Sequence, residues 1–229
     1  ISVELNNIFI DKNSKLSNLV GEILLKKNDV ISAEISSKIN NKNDFSLSIK
    51  TNSRDEKVTN LFIEEPEPFI KNYKFIKGFT EGKLSYGSIK KNNETKADLK
   101  IYDFKVQDVP VLAKLLTLAS LQGIADILTG EGIRFNEFEM NYESNQSLTN
   151  INEMYAIGPA ISILMEGYID RNKLTSLRGT LVPATTINKT ISKIPLLGDI
   201  LVGKKVGEGV FGVSFKIKGL PKDLKTSVN

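Results

Sequence analysis

The sequence predicts a mainly β protein, an antiparallel meander that carries two apolar helical segments. Three observations lead there. Short stretches alternate apolar and polar residues through most of the 229 positions, clusters of Asn, Asp, Lys and Ser break these stretches up, and only two long apolar runs depart from the alternation. With 40% hydrophobic and 25% charged residues the chain can bury a substantial core and is not compositionally disordered.

Residues 1–62 contain alternating stretches such as 30–36 and 45–49, divided by polar turn clusters at 11–14, 27–29 and 40–44. After Pro66 and Pro68, residues 69–77 mix apolar and polar positions in a way that fits a short helix, ended by Gly78. Strands resume at 82–90 and 97–106 with a turn at 92–94, and alternation places Tyr102, Phe104 and Val106 on one face.

The clearest helix follows, near 109–129. Asp108 is placed to cap it and Pro110 sits in the first turn, where a missing N–H costs little. Val111, Leu112, Leu115, Leu116, Leu118, Ala119, Ile124, Ile127 and Leu128 supply apolar surface, and Gly130 stops it. Apart from Lys114, Gln122 and Asp126 it has almost no polar face, so the helix is expected either to plug a β core or to lie against lipid.

Strands then return. Phe138, Met140 and Tyr142 alternate with Glu139 and Asn141; Ile161, Ile163 and Met165 alternate with Ser162, Leu164 and Glu166; Leu177, Gly179 and Leu181 alternate with Arg178 and Thr180. The turns between them fall at Gly158-Pro159 and 171–173. A second apolar segment, 187–202, contains Pro195 and is expected to be a helix bent there. In the last strand Phe211, Val213, Phe215 and Ile217 point to one side.

Absences narrow the chemistry. The chain has no Cys and no His, which excludes Cys- or His-based zinc sites, thiol nucleophiles, Ser-His-Asp triads and imidazole acid-base catalysis. Carboxylate and lysine chemistry is left, yet Glu64, Glu65 and Glu67 are interspersed with prolines and read as a solvated loop; no catalytic residue, metal or cofactor is expected. Basic residues exceed acidic ones by 31 to 27 without forming a block, and no aromatic and basic interleaving suggests nucleic acid.

Gly207, Gly209 and Gly212 spell a GxGxxG, but it lies at the end of the chain with no downstream lysine strand or catalytic loop, so nucleotide is not an expected partner. No apolar run reaches the length of a membrane span. Beginning at Ile1 without Met, the chain reads as a piece of a longer protein whose targeting segment lies elsewhere.

From Lys100 onward the order of segments is distinctive: KIYDFKVQDVPVLAKLLTLASLQGIADILTGEGIRF, then AIGPAISILMEGYID, LRGTLVP, KIPLLGDILVG and GEGVFGVSFKIKGLPKDLKTSVN. These segments resemble the C-terminal region of the bacterial AsmA-like family of AsmA-, TamB- and YhdP-type envelope proteins. The resemblance spans most of 100–229, whereas 1–99 is similar only in style, as β-meander repeats. What it implies is an elongated, curled antiparallel sheet, groove-like or an open barrel, with an apolar inner face. It also implies a periplasmic location, an inner-membrane anchor outside this chain, and a part in moving phospholipid between inner and outer membrane in support of outer-membrane integrity.

On that reading the groove contacts acyl chains through Phe138, Met140, Ile161, Ile163, Met165, Phe211, Val213 and Phe215. The helical segments, through Val111, Leu112, Leu115, Leu116 and Leu118 and through Ile194, Leu196 and Leu197, plug the groove or touch a membrane surface. Lys189, Lys193, Lys204 and Lys205 would then meet anionic headgroups. The rival reading is a non-catalytic scaffold whose apolar faces close on themselves and whose open strand edges dock another envelope protein.

Overall fold

The computed structural model describes residues 1–27, 29–71, 77–171, 173–183, 212–220 and 223–228. Thirteen strands form one sheet: β1 (Ser2–Phe9), β2 (Lys15–Lys26), β3 (Asp29–Ile39), β4 (Asn43–Thr51), β5 (Lys57–Ile63), β6 (Lys77–Lys91) and β7 (Glu94–Gln107). It continues through β8 (Ile133–Ser144), β9 (Leu148–Ile157), β10 (Ile161–Asp170), β11 (Thr175–Pro183), β12 (Val213–Leu220) and β13 (Asp223–Val228). Order in space equals order in sequence, and β1 and β13 are the two edges, so the sheet is antiparallel and open rather than a closed barrel. Position 99 lies within β7, and the sheet runs through it without a break.

Alternation along each strand and register between strands act together. Starting at Val3, direct cross-strand partners run Gly21, Ile35, Leu47, Leu61, Tyr86, Leu99, Met140, Met154, Met165, Gly179, Phe215 and Val228. One row of side chains therefore crosses all thirteen strands on one face. A parallel row runs from Ser37 through Phe45, Ile63, Leu84, Ile101 and Phe138 to Ile163, Leu181 and Val213. The opposite face carries most of the cross-strand ion pairs, for example Lys38–Asp44 at 2.6 Å, Lys96–Glu143 at 2.9 Å and Lys100–Glu139 at 3.0 Å. Each joins directly opposed residues.

Because strands alternate direction, every connection from an odd to an even strand lies at one end of the sheet. Those at 64–76, 108–132 and 184–212 are the long ones, and the helices among the described residues sit in the first two. α1 (Glu67–Ile70) opens after Pro66, earlier than its sequence suggested; residues 72–76 of the expected 69–77 helix lie outside the described residues. The expected bent helix at 187–202 also lies outside them.

The helix expected as one piece near 109–129 is two, α2 (Pro110–Leu118) and α3 (Gln122–Thr129). Ser120 stands in the left-handed region at φ 59°, while Ser120 N–H donates to Thr117 O and Leu121 N–H to Leu116 O. This pair of bonds ends α2 as a Schellman cap, and Leu121 packs back on the core beside it. Nor does Asp108 cap the helix: the N-cap is Val109, without a side-chain cap, and Asp108 itself turns the chain at φ 53°.

Another expectation fails in β7. Asp103 has φ 51°, which breaks the alternation, so Tyr102 is exposed while Ile101, Phe104 and Val106 are all buried. Similar breaks occur at Asn18 in β2 and Glu81 in β6. Above the break, Phe79, Phe104 and Phe135 stack from β6 to β8 with ring centroids 5.5 Å apart. Leu112, Leu115 and Leu116 of α2 and Ala125 and Leu128 of α3 close over the same cluster. Wholly buried Leu116 and Leu128 contribute about 1.5–3 kcal/mol each from apolar burial.

Candidate functional site

The two ends of the sheet differ in how far its apolar face is covered. From β6 to β13 a continuous core cluster forms, and α2 reaches across to pack against β13. From β1 to β5, among the described residues, only Leu16, Leu19, Ile39 and Ile63 form a buried cluster, and Leu84 packs against both. Along the row that starts at Val3, every residue through Met165 is half-buried, whereas Gly179 and Phe215 beyond it are buried. The strip is neither a sealed core nor an ordinary solvated face.

The expected groove residues divide accordingly. Phe138, Met140, Ile163 and Met165 are half-buried and lie in these rows. Ile161, Val213 and Phe215 share the face but are core, at 0%, 8% and 2% exposure. They close the sheet against the helices and offer no free surface. Phe211 lies outside the described residues, as do Ile194, Leu196, Leu197, Lys189, Lys193, Lys204, Lys205 and the glycines Gly207 and Gly209.

The helix residues divide too. Leu112, Leu115 and Leu116 are buried in the core, while Val111 and Leu118 face outward at 40% and 43% exposure. One helix thus has a buried side and an exposed apolar side.

Several lining residues escaped the reading of the sequence. Val3, Ile35, Leu47, Leu61, Leu99 and Met154 extend the strip into the first hundred residues and across β9. Their signal was the alternation itself, which places them on an apolar face but does not say which strand lies opposite. Towards the end with the short turns the same face becomes mixed: Thr59, Ser88, Thr95, Ser144, Thr149 and Thr175 share its rows with Ala33, Ile49, Ala97 and Ile169. Tyr142 there hydrogen-bonds Tyr86, and burial with this bond pushes its phenol well above the ordinary range. It stays protonated and neutral.

Glu64 and Glu65 act as ties. Glu64 accepts from the Asp44 backbone N–H at 2.9 Å and from Lys83 at 3.2 Å, which holds its carboxyl below the usual value. Glu65 accepts from Asn43 at 2.7 Å. Among the described residues no group of His, Cys, Asp and Glu is arranged to hold a metal ion, and no helix is long and apolar enough to cross a membrane. Comparison with family models, with curated proteins and with solved structures finds no match for this chain.

Proposed function

We propose that this chain is the C-terminal part of a periplasmic, bridge-like lipid-transport protein, anchored in the inner membrane, whose apolar face carries phospholipid acyl chains towards the outer membrane. The observation that carries the reading is the strip from Val3 to Met165, half-covered positions across ten strands that are almost all apolar and lack a side chain only at Gly21. At about 4.8 Å per strand spacing this gives roughly 43 Å of track. Leaving such a contiguous surface in water is costly, and an acyl chain laid along it gains about 0.8 kcal/mol for each methylene withdrawn from water. No catalytic step is required. The resemblance of 100–229 to the AsmA-like family supplies the envelope context.

The test is native mass spectrometry of the purified chain, followed by organic extraction and lipid identification. Phospholipid at defined stoichiometry, lost on Leu47→Glu with Met154→Glu, supports carriage. A stable lipid-free chain that also takes up no lipid from detergent micelles counts against it.

One observation favours a second reading at the far end. Phe215 is only 2% exposed and α2 packs on β13, so this end closes on itself. A non-catalytic scaffold or terminal cap that docks another envelope protein fits that closure. In such a protein the open face at β1–β5 would hold protein instead of lipid, and extraction would yield no lipid.

A further inference from the structure

The polar face holds a second candidate site, independent of the lipid reading. Between β9 and β12 the outer surface dips into a half-open depression of about 740 Å³, edged by Asn150, Asn152, Ser176, Arg178, Lys216 and Lys218. Its shape has a local cause. Relative to both neighbours β9 carries one extra residue near Asn152, since Met154 faces Met140 and Met165 but Ile151 faces Tyr142 and Gly167. Such a bulge bends its strand and re-aims side chains. Gly167, opposite it, has φ 135°, and a Cβ there would collide with the Ser176 carbonyl oxygen.

Charge sets this region apart from the rest of the outer face. Over much of that face directly opposed residues neutralise each other, as Lys38 does Asp44, Lys96 does Glu143 and Lys100 does Glu139, and where like charges oppose each other, at Glu22/Glu34 and Lys105/Arg134, one member is paired with Lys50 or Glu81. Here Arg178 stands directly opposite Lys216, and Lys218 directly opposite Lys225. Like charges in those positions destabilise a sheet. One carboxylate, Glu166, lines the depression, and it is engaged by Arg178 Nε at 2.6 Å. Lys216, Lys218 and Lys225 form no ion pair among the described residues.

We infer that this depression binds a phosphate-bearing ligand. Unpaired ammonium groups beside amide and hydroxyl donors suit a group with several anionic oxygens, and the opposed cations then gain the counter-charge they lack. The volume exceeds what one phosphate needs and falls in the range of sites that take a phosphate with its organic carrier. The carrier is either a soluble phosphate compound or a phospholipid headgroup presented by a membrane.

The experiment titrates the full chain with inorganic diphosphate by calorimetry, and separately with phosphatidylcholine vesicles with and without phosphatidic acid by flotation. Lys216→Gln/Lys218→Gln is compared with Lys12→Gln on an exposed loop, with circular dichroism as the check on folding. Saturable binding in at least one arm, weakened about tenfold or more by the double variant and by raised salt but not by Lys12→Gln, bears the proposal out. Diphosphate that displaces vesicles places the headgroup in the depression; diphosphate binding without vesicle binding assigns a soluble ligand. No saturable binding in either arm, or binding untouched by the double variant, overturns it. Met154→Glu, which addresses the apolar strip, leaves this binding unchanged, so the two readings fail separately.

Discussion

Met140 on β8 stands directly opposite Met154 on β9, and both are half-buried on the apolar face. Met154 in turn faces Met165 on β10, so the three methionines of the chain form one cross-strand row. Unbranched thioethers adapt to irregular apolar partners better than branched side chains do, which under the proposed function suits acyl chains of varied length and unsaturation. Met154→Leu should therefore retain lipid, whereas Met154→Glu should lower bound lipid per chain by about tenfold or more through the cost of placing a carboxylate against alkyl chains. Extraction and quantitation of lipid from equal amounts of each variant checks this; equal lipid in both would remove the row from the carrying surface.

The two sides of α2 separate in stability measurements. Leu116 is 0% exposed beneath the helix, so Leu116→Ala should cost about 2–5 kcal/mol in urea unfolding. Leu118→Ala, on the outward side, should stay within about 0.5 kcal/mol of the parent. A large loss at Leu118 would mean that the outward side is packed against something in solution.

How much of this was legible depends on the range of the interaction concerned. Alternation at Phe138, Met140, Ile163 and Met165 assigned the face correctly because a period of two is a local property. The break at Asp103 was not legible, since its φ of 51° is one residue's departure that an Asp tolerates without announcing it. The end of α2 at Ser120 was hidden for a related reason: the helix has no Gly there, and a Ser adopts the left-handed cap that Gly usually provides. Ile161, Val213 and Phe215 belong to the core cluster that α2 joins, and α2 meets β13 across the sheet, a contact between residues about a hundred positions apart that no local pattern announces.

Gly179 lies in the long row between Met165 and Phe215. A methyl group there would stand 2.5 Å from the Phe215 ring and collide with the Leu164 carbonyl oxygen. Gly179→Ala should therefore destabilise the fold by about 1–3 kcal/mol, the range for overpacking, although alanine normally favours folding over glycine in a strand. Thermal unfolding of the variant decides it. An unchanged or raised Tm would show that β11 and β12 are less closely packed than the register of Gly179 and Phe215 implies.

The pH dependence centres on Glu139. Burial alone would raise its carboxyl, but Tyr155 donates to it at 2.7 Å and Lys100 pairs with it at 3.0 Å, and together they hold it below the ordinary glutamate value near 4.5. Tyr155 shows the complement: burial and the neighbouring carboxylates of Glu139 and Glu137 push its phenol far above its usual range. Because the folded carboxyl is depressed, its contribution is fully present above the unfolded value and is lost as pH falls through the folded one. Tyr155→Phe should cost roughly 1–2 kcal/mol at pH 7, and the difference should shrink once acid protonates Glu139. Urea unfolding of both proteins from pH 7 down to pH 3 measures it. A gap that stays constant across that range would locate the loss in packing of the Tyr155 ring and not in its bond to Glu139.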